Sequence, residues 1–214
     1  MLNPSDGKKI DDFWQELTLT IQQLLESREE NQFEAENLLS AYRSKLQLID
    51  ENLTFHFEAD EEGPIEMIFG CDGYPESIHS VLSLVGAAPS VQGVTFKAFN
   101  NRYDPIPSHI NVAGELCELS DFWFSLHSNN RKLHLSIYLK NVPLVLDMDP
   151  RVEAVMIFLD ALIGEYELMT KVWTLDWFEL PVDPIDYALQ PLSSLREAFD
   201  ALKRDVAPIG LTFH

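Results

Sequence analysis

The chain has 214 residues, 46% of them hydrophobic and 23% charged, a profile that excludes a disordered protein and suits a globular one with a sizeable core. Thirty-five acidic against 15 basic residues leave a net charge of −20, a field that repels the phosphates of nucleic acids and of anionic lipids. No nucleic acid and no membrane are therefore expected as partners.

No stretch approaches the roughly 18 apolar residues of a membrane span, and the opening MLNPSDGKKIDDFW has no apolar signal core. Cys71 and Cys117 belong to no CxxC or Cys/His cluster, so reduced thiols and a cytoplasmic location are expected.

Over residues 9–25, Ile10, Phe13, Trp14, Leu17, Ile21, Leu24 and Leu25 recur at helical spacing. After a break at 27–31, a second stripe runs through Phe33, Leu38, Leu39, Tyr42, Leu46 and Ile49. Residues 1–50 thus predict two N-terminal amphipathic helices. Their apolar sides must cover each other, the main domain or a partner subunit, as in a homodimer.

Residues 51–214 read as one α+β domain. Leu53, Phe55 and Phe57 alternate with polar residues, and Ile65, Met67 and Phe69 follow an acidic turn at 60–63, the pattern of a hairpin. Pro75 opens a helix whose inner face is Ile78, Val81, Leu82 and Val85, closed by Gly86 and Pro89. Strands are predicted at Val94–Ala98, His109–Val112, 121–126 and Lys132–Leu139, with Ser128-Asn-Asn130 as a turn. A helix over Pro150–Ile163 stops at Gly164, and from Glu165 a strand places Trp173, Leu175 and Trp177 on one face. Residues 181–191 are irregular, and a last helix carries Leu192, Leu195, Phe199 and Leu202. Short turns imply antiparallel neighbours, so the expectation is one mainly antiparallel sheet with helices largely on one face. Phe55, Val81, Leu135, Ile137, Val155 and Leu159 are the predicted core.

Val145-Leu-Asp-Met-Asp149 offers paired carboxylates at a strand end, a way to hold Mg²⁺. Pro150-Arg151 follows, and a helix start with Asp149 as N-cap and Pro150 at the first helical position uses every residue of the motif. Glu58-x-Asp60-x-Glu62-Gly63 has the rhythm of a calcium loop, but its twelfth position is Phe69, and a solvated turn accounts for it better. The six histidines make no HxH or HxxxH pattern, and no nucleophile elbow, phosphate loop or dinucleotide fingerprint occurs. No metal, no cofactor and no catalytic residue is assigned. The candidate ligand-binding residues are Arg102 and Tyr103, in the loop 100–107, together with Glu165. Arg102 has the fork to grip a carboxylate or phosphate, although pairing with an acid of its own chain is the favoured reading.

Phe69-Gly-Cys-Asp-Gly73, Val85-Gly-Ala-Ala-Pro89, Gly93-Val-Thr-Phe-Lys-Ala-Phe99 with Arg102, and Gly164-Glu165-Tyr166 together resemble an uncharacterised bacterial family, the domain of unknown function numbered 695 or a relative. The resemblance covers roughly residues 50–180, with Val94 where that family carries Trp. It implies a bacterial cytosolic α+β domain and supplies no activity.

The leading expectation is a non-enzymatic, acidic protein-interaction module, immunity-protein-like or regulatory, with a basic protein partner. The alternative is a small enzyme or ligand-binding domain with a pocket near Arg102, Tyr103 and Glu165.

Overall fold

The computed structural model describes residues 4–59, 64–206 and 209. It has two compact units, one running to Phe99 and one starting at Asn100, each with its own core. The fold is α+β, with two N-terminal helices ahead of the sheets. Among the described residues, no helix is long and apolar enough to cross a membrane.

In the first unit, helices α1 (Pro4–Glu30) and α2 (Gln32–Ile49) meet at Asn31, whose side chain accepts from the Glu34 N–H and caps α2. The predicted stripe of α1 is buried: Ile10, Phe13, Trp14, Leu17, Ile21 and Leu24 are all withdrawn from water. Strand β1 (Thr54–Ala59) pairs antiparallel with β2 (Ile65–Gly70). Helix α3 (Ile78–Gly86) then carries the chain back to β3 (Val94–Ala98), which lies parallel to β2 because a crossover joins them. As the central strand, β2 buries Met67, Ile68 and Phe69 in succession, so the alternation read from its sequence does not separate a wet face from a dry one. Aromatic rings join helices to sheet: Trp14 meets Phe96 at 4.7 Å and Phe13 meets Phe69 at 5.9 Å, both edge to face. The Trp14 indole N–H donates to the Leu84 carbonyl at 2.9 Å. The acidic turn at 60–63 lies outside the described residues.

The second unit contains a two-stranded hairpin, β4 (His109–Val112) with β5 (Glu115–Glu118), and a larger sheet. The sheet comprises β6 (Trp123–Asn129), β7 (Lys132–Leu139), β8 (Val172–Glu179) and β9 (Gln190–Pro191), in the order β8-β7-β6-β9. Strands β6 and β7 form a tight hairpin whose turn residues, Asn130 and Arg131, both take positive φ, one position later than the predicted turn. Helices α4 (Pro150–Ile163) and α5 (Glu165–Lys171) carry the chain from β7 to β8, which is parallel to β7. Helix α6 (Leu195–Leu202) follows β9. Leu133, Leu135, Ile137 and Leu139 of β7 share one buried cluster with Val155, Phe158, Leu159 and Phe199 of the helices.

Several expectations need correction. The strands form three sheets rather than one: β1–β3 belong to the first unit, and in the second β4–β5 pair apart from the four-stranded sheet. Residues Glu165–Lys171 are a helix and not the start of a strand: the run has no Gly or Pro and is rich in good helix formers. Trp173 does not share a face with Leu175 and Trp177. Leu133 pairs with Val172 and His134 with Thr174, so a bulge at Trp173 shifts the alternation and leaves that ring 46% exposed. Phe55 is only half-buried, whereas Val81, Leu135, Ile137, Val155 and Leu159 are fully enclosed. Strands β5 and β9 escaped the sequence reading.

Leu135→Ala and Leu159→Ala should each lower unfolding free energy by about 2–5 kcal/mol in urea titrations, the cost of a cavity in a closed core. Losses below about 1 kcal/mol at both positions would show that the central layer is not packed as described.

Candidate functional site

The last carbonyls of a helix have no donor within it, and at the end of α4 two arginines and one backbone amide supply donors. Arg102 Nε donates to the Ile163 carbonyl at 2.7 Å. Arg196 donates through Nε to Leu162 at 3.2 Å and through Nη2 to Ala161 at 2.8 Å and Tyr103 at 2.6 Å. The Tyr103 N–H reaches the Ala161 carbonyl at 3.0 Å. The cations also face the negative end of the helix dipole.

Arg102 is engaged further. Its Nη1 and Nη2 grip Asp200 at 2.8 Å each, and Nη2 also donates to Glu167 at 2.7 Å. Lys203 closes the network on Glu167 at 2.9 Å and Asp200 at 3.0 Å. The Phe199 ring lies 5.7 Å from each cation. The Arg102 guanidinium beside Asp200 holds that carboxyl far below the usual carboxylate range, and Asp200 in turn raises Arg102.

Glu165 is buried beside this clasp. It accepts from the Asn100 N–H at 3.0 Å, and its own N–H donates to the Asn100 carbonyl at 3.1 Å. Gly164 takes φ 92°, a conformation that suits glycine, and so lets the chain turn from α4 into α5 at this point. Burial pushes Asp160 up to about 7, the negative charge of Glu165 adds to the rise, and a hydrogen bond from the Asn100 side chain opposes it. The fold therefore does bring Arg102, Tyr103 and Glu165 together. It uses them to bind α4, α5 and α6 to the entering loop, with the Arg102 fork held by carboxylates of its own chain.

The other end of α4 starts as its sequence suggests. Asp149 Oδ1 accepts from the Arg151 N–H at 2.9 Å, with Pro150 at the first helical position. Arg151 folds back on the same carboxylate at 2.9 and 2.7 Å, and it donates to the carbonyls of Lys140 at 2.6 Å and Asn141 at 3.0 Å. These hydrogen bonds from Arg151 hold the Asp149 carboxyl below its ordinary value. Both oxygens of Asp149 are thus occupied by Arg151; the side chain of Asp147 lies outside the described residues. Among the described residues, no group of three or more His, Cys, Asp or Glu is arranged to hold a metal ion. His127 and His134 stack at 5.2 Å on the strands β6 and β7, and the His134 ring contacts the Thr174 hydroxyl at 3.0 Å.

A cleft of about 290 Å³ opens near Arg151. Phe122, Trp123, Leu139 and Leu180 contribute its apolar lining, and Glu115 and Asp121 contribute carboxylates. Cys117 also lines it, and burial together with nearby acids raises its thiol, which keeps it protonated and a poor nucleophile. Cys71, in the first unit, is buried as Cys117 is. A shallower groove of about 340 Å³ runs along α1 in the first unit, beside Trp14, Leu19 and Pro89.

In the sequence, 145–149 reads as a carboxylate motif and 181–191 as irregular chain, with no role assigned to the apolar residues of the loops 140–149 and 180–189. Leu144, Met148, Val182, Ile185 and Tyr187 all stand well out in water on them, Val182 at 96% exposure. The signal was present in Pro143-Leu144-Val145 and Pro181-Val-Asp-Pro-Ile-Asp-Tyr187, where apolar residues sit in irregular chain among prolines. Compared with protein-family models, with curated proteins and with solved structures, the chain gives no match in any of the three.

Two measurements check these arrangements. Asp160 has a raised folded-state pKa, so the stability it contributes is fully present below its unfolded value of about 4 and is lost as pH rises through about 7. Thermal or urea unfolding should show that decline in wild type and a flat profile across this window in Asp160→Asn; equal slopes would remove the buried acid from the account. Asp149→Ala should lower stability by about 1–2 kcal/mol through loss of the cap, and circular dichroism of the variant should show a lower melting temperature at neutral pH.

Proposed function

We propose that the protein is a non-enzymatic interaction module that recruits a basic protein partner. The observation that carries this reading is the placement of large apolar side chains in water, on loops braced by proline, in a chain of net charge −20. Exposed apolar groups mark contact surfaces where they cluster, and these sit on two loops whose roots are hydrogen-bonded to each other. The charge exceeds the magnitude of about 2–8 that suffices for solubility of a small domain. A field of that size steers a cationic partner and rejects anionic ones.

The alternative, a small enzyme or ligand-binding domain built on Arg102, Tyr103 and Glu165, finds less support. A guanidinium already held by Asp200, Glu167 and a helix carbonyl has most of its donors engaged within its own chain.

Immobilised protein exposed to lysate of its source cells should retain a basic protein in stoichiometric amount at low salt and release it at high salt. In purified form the pair should associate more slowly as salt rises towards physiological strength. Retention of nothing, or of a partner indifferent to salt, would overturn the reading.

A further inference from the structure

We propose that the end of the four-stranded sheet where β7 and β8 finish is the docking surface, and that it takes a cationic segment bearing apolar side chains from the partner protein. The inference rests on the interaction reading above and adds to it the place and the chemistry.

Topology brings the two apolar loops to this end. In the order β8-β7-β6-β9, the chain leaving β8 must cross the ends of β7 and β6 to reach β9 on the far edge. The loop 180–189 makes that crossing. The loop 140–149 leaves β7 at the same end. Their roots are joined: the Leu180 N–H donates to the Leu139 carbonyl at 3.0 Å, and the Glu179 carboxylate accepts from the N–H groups of Asn141 and Val142 at 2.8 Å each. The cleft beside Arg151 opens here too, since the starting residue of β6, the last of β7 and the residue after β8 all line it.

The crossing loop is braced rather than loose. Pro181 and Pro184 restrict φ. The Asp186 N–H bonds to the Asp183 carbonyl, and the Leu189 N–H to the Pro184 carbonyl. Leu189 is buried and anchors the far end. Little chain entropy remains to be lost when Val182, Ile185 and Tyr187 are covered, so their burial goes largely into affinity.

Charge selects the occupant. Asp183 and Asp186 alternate with the exposed apolar residues of the crossing loop, and Glu115 and Asp121 stand at the cleft. Arg151 is neutralised by Asp149, which leaves Lys140 as the one unpaired cation among the described residues lining the cleft. An apolar lining with carboxylates beside it fits the stem and head of a lysine or arginine side chain. A second copy of this chain would set the same carboxylates against each other, and an anionic lipid surface would be repelled.

The test uses the full chain and a fluorescein-labelled 18-residue amphipathic peptide of Leu and Lys, titrated by anisotropy at low and physiological salt. Wild type should bind. Val182→Ser with Ile185→Ser, and separately Asp183→Asn with Asp186→Asn, should each weaken binding by about tenfold. Glu51→Gln with Glu76→Gln, an equal charge change at exposed sites of the first unit, should change it less than about twofold. All six sites are exposed, so the variants should melt with wild type. Hydrogen exchange should slow at 140–149 and 180–189 when peptide is bound. If the loop pairs behave like the control while binding stays salt-dependent, this surface is wrong and the interaction reading survives. Absence of binding at any salt overturns both. Sedimentation showing self-association abolished by the Val182/Ile185 pair would assign the surface to a second copy and overturn the cationic partner.

Discussion

The second unit depends on how the end of α4 is closed. Its final carbonyls point into protein, where an unpaired acceptor costs about 1–3 kcal/mol, and its dipole adds negative potential to a region already holding Asp160, Glu165, Glu167 and Asp200. In a chain with 20 more acids than bases, this is the least tolerable place to leave unneutralised. Arg102 from the entering loop and Arg196 from α6 converge there, so one set of hydrogen bonds satisfies the helix and joins three distant segments. A lysine at position 102 would offer a point charge and no fork, and would lose the two-nitrogen grip on Asp200.

The start of α4 is closed by the same kind of device on a smaller scale. Asp149 caps the helix, and Arg151 returns to it while holding the carbonyls of Lys140 and Asn141. The loop leaving β7 is thereby fixed to the helix it feeds. The polar contacts described at both ends of α4 are therefore structural.

Much of the fold was legible because local signals were unambiguous. Asp149-Pro150 and Gly164 bracket α4, and the alternation of β7 survives intact from Lys132 to Leu139. The antiparallel hairpins were legible from their short turns, whereas the two parallel pairings and the number of sheets were not, since they depend on crossover connections whose length the sequence does not mark. α5 hid because seven residues are too few to display a helical period, and the bulge at Trp173 broke the only pattern available in β8. At the candidate site, pairing of Arg102 with its own chain was the favoured reading. The partners themselves were not readable, because Glu167 and Asp200 stand 65 and 98 positions away. The exposed loop residues were missed for a different reason: apolar side chains are ordinarily assigned to a core, and only coordinates show which ones fail to reach it.

The parallel pairing of β7 and β8 also fixes an order of events during synthesis. β6 and β7 meet across a two-residue turn and can zip together once Leu139 has been made. The opposite side of β7 must wait: His134 and Thr174, which share a hydrogen bond, stand 40 positions apart, with two helices between them. Until the ribosome has passed Glu179, that row of backbone groups has no strand to meet, and the growing chain carries an open edge that only its own later residues can seal.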